Sequence, residues 1–409
     1  MKIGLLAYHS ACNFGATLQL LSTYKYLEKA GHEPVVINWI PSDLEAFYQR
    51  TTPAEQYANQ LQMRRLLWRE TERCYDSADV ARVIEDEGIQ AVIVGSDAVA
   101  QHHPWQERLV FPTRKLFTIV RYTSDRMFPN PYWGDFNKIM QHSVPVAVIS
   151  ASCQDSAFHF IRNKEKKRMA ELVERYAFLS VRDSWTSDMM NFLSDGAVNP
   201  EVTPDPVFAF NQNAGDLVPP RDKILSQFHL PDRYILLSLF AGCHVGQTWI
   251  TELEALAQKK GYALVVLPFS QRPSMGKAEC VVDLPLSPLD WYALIRYSGG
   301  YVGNNMHPIV VSLHNGVPFF SFDNYGRRSA WYSRAKSDVS SKIRHILDLA
   351  DMQSQRLSCV VPRFVPPRAS WVLERLLSTD RAKENSFAEV CLERYNRMME
   401  TVLKIFIDH

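Results

Sequence analysis

No Cys-x-x-Cys pair occurs in this sequence, and its seven cysteines (Cys12, Cys74, Cys153, Cys243, Cys280, Cys359 and Cys391) are scattered. Without ligand spacing or a dense framework, neither a structural zinc site nor a disulfide scaffold is expected. Excess charge is also missing. Lys and Arg number 45 against 44 Asp and Glu, a net charge of +1, so no global field recruits nucleic acid or an acidic membrane. No apolar run is long enough to cross a bilayer. The opening Lys2-Ile3-Gly4-Leu5-Leu6-Ala7 reads as a strand, not as a signal peptide. A Gly-x-Gly-x-x-Gly fingerprint is absent, so a dinucleotide is not implied. These absences predict a cytoplasmic protein with no metal and no resident cofactor.

What is present is an ordinary globular composition, 46% hydrophobic and 22% charged, over 409 residues. That length exceeds a typical single domain and predicts two. Short apolar runs at 3–8, 34–38, 91–94, 144–150 and 178–181 alternate with helical patterns, the first over about 15–30 and ending at Gly31. Strand, helix, strand in that order marks a parallel sheet with crossover helices. From Asn211 to Asp222 the composition shifts to Asn, Gly, Pro and Asp, which reads as an interdomain linker. The alternation then restarts, with strands at 234–239, 263–267, 301–302 and 318–322. The expectation is α/β: two Rossmann-like lobes facing a cleft, residues 1–212 and 223–409. Helices from Trp371 onward would pack back across them.

The richest motif is Gly303-Asn304-Asn305-Met306-His307-Pro308, followed by an apolar helical run to Gly316. Amides at a helix start are unpaired and partly positive, a ready anion site. A histidine there can exchange a proton near neutral pH, though a lone histidine can also be a plain cap. Other clusters, Ser152-Cys153-Gln154 among them, sit at predicted strand ends, where α/β folds bind ligands. In His9 to Gln19, Asn13 can cap the helix or meet a substrate hydroxyl, and Gly15 lets a ligand approach the backbone. Gly95-Ser96-Asp97 ends a second strand. Val181-Arg182-Asp183 ends a third, with Arg182 either a surface pair or a fork for a carboxylate or phosphate. Arg327 and Arg328 follow the strand after the histidine helix and would close on the same anion or stay solvated.

Residues 101–136 break the alternation. They interleave Trp105, Phe111, Phe117, Tyr122, Phe128, Tyr132, Trp133 and Phe136 with Arg108, Arg114, Lys115, Arg121 and Arg126. Such a mixture suits sugar stacking or a membrane surface, or else an insertion packed on its own domain.

Taken together, Asn13-Phe14-Gly15 with Leu18-Gln19, Val94-Gly95-Ser96-Asp97, Ser180-Val181-Arg182-Asp183, Asp205-Pro206 and Gly303 to Pro318 resemble, in order and spacing, the polysaccharide pyruvyl transferase family. The resemblance implies a GT-B-like fold and transfer of an enolpyruvyl-derived group from phosphoenolpyruvate to sugar hydroxyls, giving a pyruvate ketal. By the family pattern His307 is the catalytic histidine. Arg182, Asn305, Met306, Arg327 and Arg328 would bind the donor; Asn13, Gly15 and Asp97 would meet the acceptor. Two departures stand out. Asn305 occupies a position where many members carry arginine, and Ala98 and Ala100 replace a usual glutamine and tryptophan. Expected partners are phosphoenolpyruvate as co-substrate and a glycan or lipid-linked sugar, the latter placing the protein at the inner face of the membrane. The alternatives are a GT-B-like glycosyltransferase using a nucleotide sugar, with Gly242 to Gly246 at its diphosphate, and a non-catalytic glycan-binding homologue.

Overall fold

The computed structural model describes residues 1–110, 118–240, 243, 245–326, 337–360 and 364–409. The first lobe is built on β1 (Lys2–Leu6), β2 (Glu33–Val36), β3 (Ala91–Asp97), β6 (Val146–Ala151), β7 (Phe178–Val181) and β8 (Glu201–Val202), with β4 (Leu109–Val110) and β5 (Thr118–Ile119) forming a separate antiparallel ribbon. The second holds β9 (Tyr234–Ser238), β10 (Ala263–Val266), β11 (Cys280–Val281), β12 (Tyr301–Gly303), β13 (Phe319–Asp323) and β14 (Arg356–Ser358). The two six-stranded sheets run β2-β1-β3-β6-β7-β8 and β11-β10-β9-β12-β13-β14, and all their pairings are parallel. Helices cover both faces of each sheet's strands, which is why β3 and β6 are buried along their whole length and read as continuous apolar runs.

Strand order reverses between β1 and β3 in one sheet and between β9 and β12 in the other. Ligands in open parallel sheets bind outside the carboxyl ends of such strands. Each lobe therefore presents one helix start to the cleft. The Phe14–Lys29 helix follows β1, and Asn13 caps it by accepting from the amides of Gly15 (3.1 Å) and Ala16 (3.4 Å). The Met306–Asn315 helix follows β12 and stops at Gly316, whose φ of +62° is left-handed. Ile309, Val310, Val311 and Leu313 are wholly buried on it. Each contributes roughly 1.5–3 kcal/mol by leaving water, which locks the helix start in place.

Two segments set apart by their composition pack into the fold. The polar stretch 211–222 does run between β8 and β9, but its beginning is packed. Asn211 Oδ1 accepts from Tyr292 Oη (2.9 Å) and Arg296 Nη1 (3.1 Å), and its Nδ2 donates to Asn315 (3.0 Å). In the 101–136 segment, Phe128, Tyr132, Trp133 and Phe136 are buried in the first-lobe core, and Tyr122 stacks on His103 at 3.6 Å. These aromatics pack on their own lobe; Trp105 is half exposed, and Phe111, Arg114, Lys115 and Phe117 lie outside the described residues. Among the described residues no helix is long and apolar enough to cross a membrane.

The final helix, Arg381–Asp408, follows the second lobe in sequence yet lies against the first. Tyr395 meets Tyr26 edge-on at 5.7 Å, Ser180 Oγ donates to Met398 Sδ (3.4 Å), and Arg394 donates to the Val202 carbonyl. Met399, Val402 and Phe406 share one core with Ile3, Leu5 and Leu18.

Candidate active site

On the first lobe, β3 ends in Gly95-Ser96-Asp97. Gly95 has φ +117°, and a Cβ there would come within 2.3 Å of the Ile149 carbonyl oxygen, so only glycine fits. The turn throws Asp97, itself at φ +78°, toward the cleft. Behind it lies Arg182. Its Nη2 donates to Asp97 (3.2 Å) and its Nη1 to Asp205 (2.8 Å), while Gln19 donates to the same Asp205 oxygen (2.6 Å). All three charged groups are buried. Burial pushes Asp97 up, but Arg182, then Lys342 and His307, more than offset it and hold the carboxyl at about 2. Burial likewise opposes the charge on Arg182, and Asp97 and Asp205 overcome it.

This corrects the expectation for Arg182. Both terminal nitrogens are committed to carboxylates, and the residue does not border the cleft that His307 faces. It is a buried counter-ion that fixes Asp97. Its partners lie 85 and 23 residues away in sequence, which is why no local motif announced them.

On the second lobe, Asn305 is the N-cap of the Met306–Asn315 helix but makes no side-chain capping bond. Pro308 has no N–H, so the open donors of the first turn belong to Met306 and His307. His307 is buried, and its Nε2 has no hydrogen-bond partner among the described residues. A buried polar nitrogen left unpaired costs stability, and this one keeps a hydrogen bond that the fold does not use. Burial lowers its pKa from 6.5; Asp97 and Asp205 pull it up, while Arg182 and Lys342 push it down. The ring rests against Gly15 of the opposite lobe, where an added Cβ would stand 2.0 Å from Cγ. The close approach that Gly15 permits is thus that of His307, not of a ligand.

Between the lobes lies a cleft of about 500 Å³. Asn13, Asp97, Asn305, Met306 and His307 all border it. So do Gln154, from the cluster after β6, and several residues that the sequence reading passed over, notably Phe240, Arg272 and Lys342. The loop carrying Phe269 to Arg272 reaches the first lobe, where Ser270 Oγ donates to the Cys12 carbonyl (2.5 Å). A smaller chamber of about 270 Å³ adjoins the cleft, sharing Gln154, Tyr325 and Lys342 as wall. Ala98 and Ala100 are buried in the first-lobe core instead of lining the cleft. Arg327, Arg328 and Gly242 lie outside the described residues. Among those described, no three His, Cys, Asp or Glu side chains gather as a metal-binding group.

Two parallel α/β lobes meeting at their switch points, with a histidine at an open helix start between them, make this a GT-B-like enzyme architecture. The model of the family described as polysaccharide pyruvyl transferase matches residues 13–325. The chain belongs to that family and is a transferase. No curated protein sequence matches it. Similar solved structures include MnaA of S. aureus with UDP, at 12% identity over 99% of this chain and 97% of that one, with a TM-score of 0.52. Another is the UDP-GlcNAc 2-epimerase of Methanocaldococcus jannaschii, at 9% identity over 95% of this chain and 99% of that one, with a TM-score of 0.50. At such identities the likeness is one of fold.

Proposed function

We propose that this transferase moves the enolpyruvyl-derived group of phosphoenolpyruvate onto two hydroxyls of one sugar, in a polysaccharide or its lipid-linked precursor. The products are a pyruvate ketal and inorganic phosphate. The observation that carries the reading is His307: a buried imidazole with an unpartnered Nε2, on an uncapped helix start, bordering the cleft of a chain in this family.

The first-turn amides of Met306 and His307 supply donors for the anionic donor molecule. Imidazolium at His307 gives its Nε2 proton to the methylene carbon, which becomes the methyl group, and positive charge develops at the neighbouring carbon. A sugar hydroxyl attacks that carbon and its proton passes to His307. The C–O bond to phosphate then breaks, and the departing phosphate takes this proton. The second hydroxyl closes the ketal and returns a proton to His307, so one hydroxyl proton ends on the methyl group and the other on phosphate. Positioned acid–base transfer of this kind is worth about 10²–10⁴-fold. Asp97 and Asn13, on the opposite wall, meet the acceptor hydroxyls, and holding two of them in register supplies much of the remainder.

The test is a thermal-shift titration with phosphoenolpyruvate and, in parallel, nucleoside diphosphates. A ligand at 100 times its dissociation constant stabilises the native state by about 2.7 kcal/mol. Stabilisation by phosphoenolpyruvate, with phosphate release once a sugar acceptor is added, supports the reading. A shift with a nucleotide alone would make the chain a nucleotide-sugar enzyme; saturable glycan binding without phosphate release would make it a binding homologue.

A further inference from the structure

Lys342 is only 6% exposed, yet its ammonium makes no hydrogen bond and no ion pair among the described residues. It lies over the Tyr325 ring, 5.1 Å from Nζ to the ring centre. It is also the first residue of the Lys342–Leu349 helix, where its charge meets the positive end of the helix dipole. Burying a cation without a partner is expensive, and this one sits where the backbone makes matters worse. Burial and then Arg182 lower its pKa from 10.5; Asp97, Asp183 and Asp205 favour its charge from a distance without offsetting them, and none of the three is free to bond it. Asp97 and Asp205 are held by Arg182, and Asp183 accepts from Ser152 (2.8 Å) and from the amide (2.8 Å) and hydroxyl (2.7 Å) of Thr186.

Nothing in the packing accounts for Lys342, but the cleft does. The residue lines both the main cleft, with His307 and the open amides of its helix, and the adjoining chamber. Its backbone is fixed in advance. Ser341, the helix cap, accepts from the Arg344 amide (3.2 Å) and donates to Asp323 (2.6 Å), which Arg356 Nε clamps in turn (2.6 Å). An unpaired ammonium held rigidly beside an unpaired imidazole is half of an anion site.

We infer that Lys342 is the cation that seats the phosphate of the incoming substrate in this cleft, the part that sequence patterns assigned to Arg182. A compact ammonium binds phosphate as a point charge and needs no planar match. The inference rests on the pyruvyl-transfer reading for the identity of the substrate, but not for the phosphate site itself.

The experiment compares wild type, Lys342→Met and Lys342→Arg by calorimetric titration with phosphoenolpyruvate, inorganic phosphate and pyruvate, and by melting without ligand. Loss of one charge-assisted contact weakens phosphate and phosphoenolpyruvate binding about 10–100-fold in Lys342→Met. Lys342→Arg retains most of the affinity, and pyruvate, which lacks the phosphate, is indifferent to both changes. Ligand-free Lys342→Met melts close to wild type, because removing the cost of the enclosed charge offsets the loss of its attraction to Asp97. Undiminished phosphate binding by Lys342→Met overturns the inference and leaves the proposed reaction intact. A large loss of ligand-free stability overturns it too, by making Lys342 structural. Phosphate binding that depends on Lys342, without any binding of phosphoenolpyruvate, sustains the site and removes the donor instead.

Discussion

Gly15 and His307 come from opposite lobes, yet a methyl group on the glycine would stand 2.0 Å from the imidazole Cγ and 2.1 Å from Nδ1. The first helix offers bare backbone as the seat for a ring carried by the second lobe. Gly15→Ala therefore acts on His307. Turnover, followed by phosphate release, should fall about 10²-fold, the usual cost of displacing a reacting group by about 1 Å. Full turnover in Gly15→Ala would show that the contact is incidental.

Acidity should favour the free enzyme. Burial keeps His307 below 6.5 before substrate arrives, and the proposed cycle starts from imidazolium. Hence kcat/KM, which reports the free enzyme, should decline as pH rises through a value below 6.5. The bound phosphate and carboxylate favour the charged ring, so kcat should break at higher pH. A kcat/KM that climbs steadily from about pH 5 to about pH 8 would make neutral imidazole the working form. His307→Ala should abolish ketal formation with its melting temperature nearly unchanged.

Arg182 separates two accounts of the site. Held between Asp97 and Asp205, it cannot be removed without stranding two buried carboxylates. Arg182→Met should lose about 3–5 kcal/mol in chemical denaturation, as breaking a buried ion pair generally does. An unaltered denaturation midpoint with phosphoenolpyruvate affinity lost would restore it as a donor-binding fork.

Glu384, near the start of the final helix, is fully buried, and neither of its oxygens has a hydrogen-bond partner among the described residues. Burial raises its pKa from 4.5 to about 8, with Arg381 opposing and Asp380 reinforcing the rise. Below 4.5 both folded and unfolded chains hold the proton and nothing is lost. As pH rises from 4.5 to about 8, the unfolded chain has released it while the folded chain retains it, so stability declines through this window. Glu384→Gln carries no such titration. Its advantage in denaturation midpoint should be small near pH 4.5 and reach a few kcal/mol, as an order of magnitude, near pH 8. A difference independent of pH would place the carboxyl in contact with water.

Much of this molecule is written locally. Apolar runs became parallel strands, and Asn13 and Gly316 mark helix ends, the one through its capping oxygen and the other through the lack of a Cβ. His307 could be read because a Gly-Asn-Asn turn and an apolar helix frame it within a dozen residues. Lys342 could not, because nothing in Ser340-Ser341-Lys342 says that its helix starts in a cleft, and only the return of the chain past β13 puts it there. Arg182's partners were hidden for the same reason: Asp97 comes from the end of β3 and Asp205 from the turn after β8. The aromatics near residue 130 left two readings open, since side chains suited to stacking on a ligand are equally suited to filling a core, and they fill the core.

The final helix has a consequence for the order in which the protein forms. Tyr395, Met399, Val402 and Phe406 complete the core that Ile3, Leu5 and Leu18 begin. The first lobe leaves the ribosome early, but the surface that this helix covers stays wet until the helix has followed. It must wait, incomplete, for a segment made after the strands of the second lobe, and a nascent chain stalled after β14 would expose that face to chaperones.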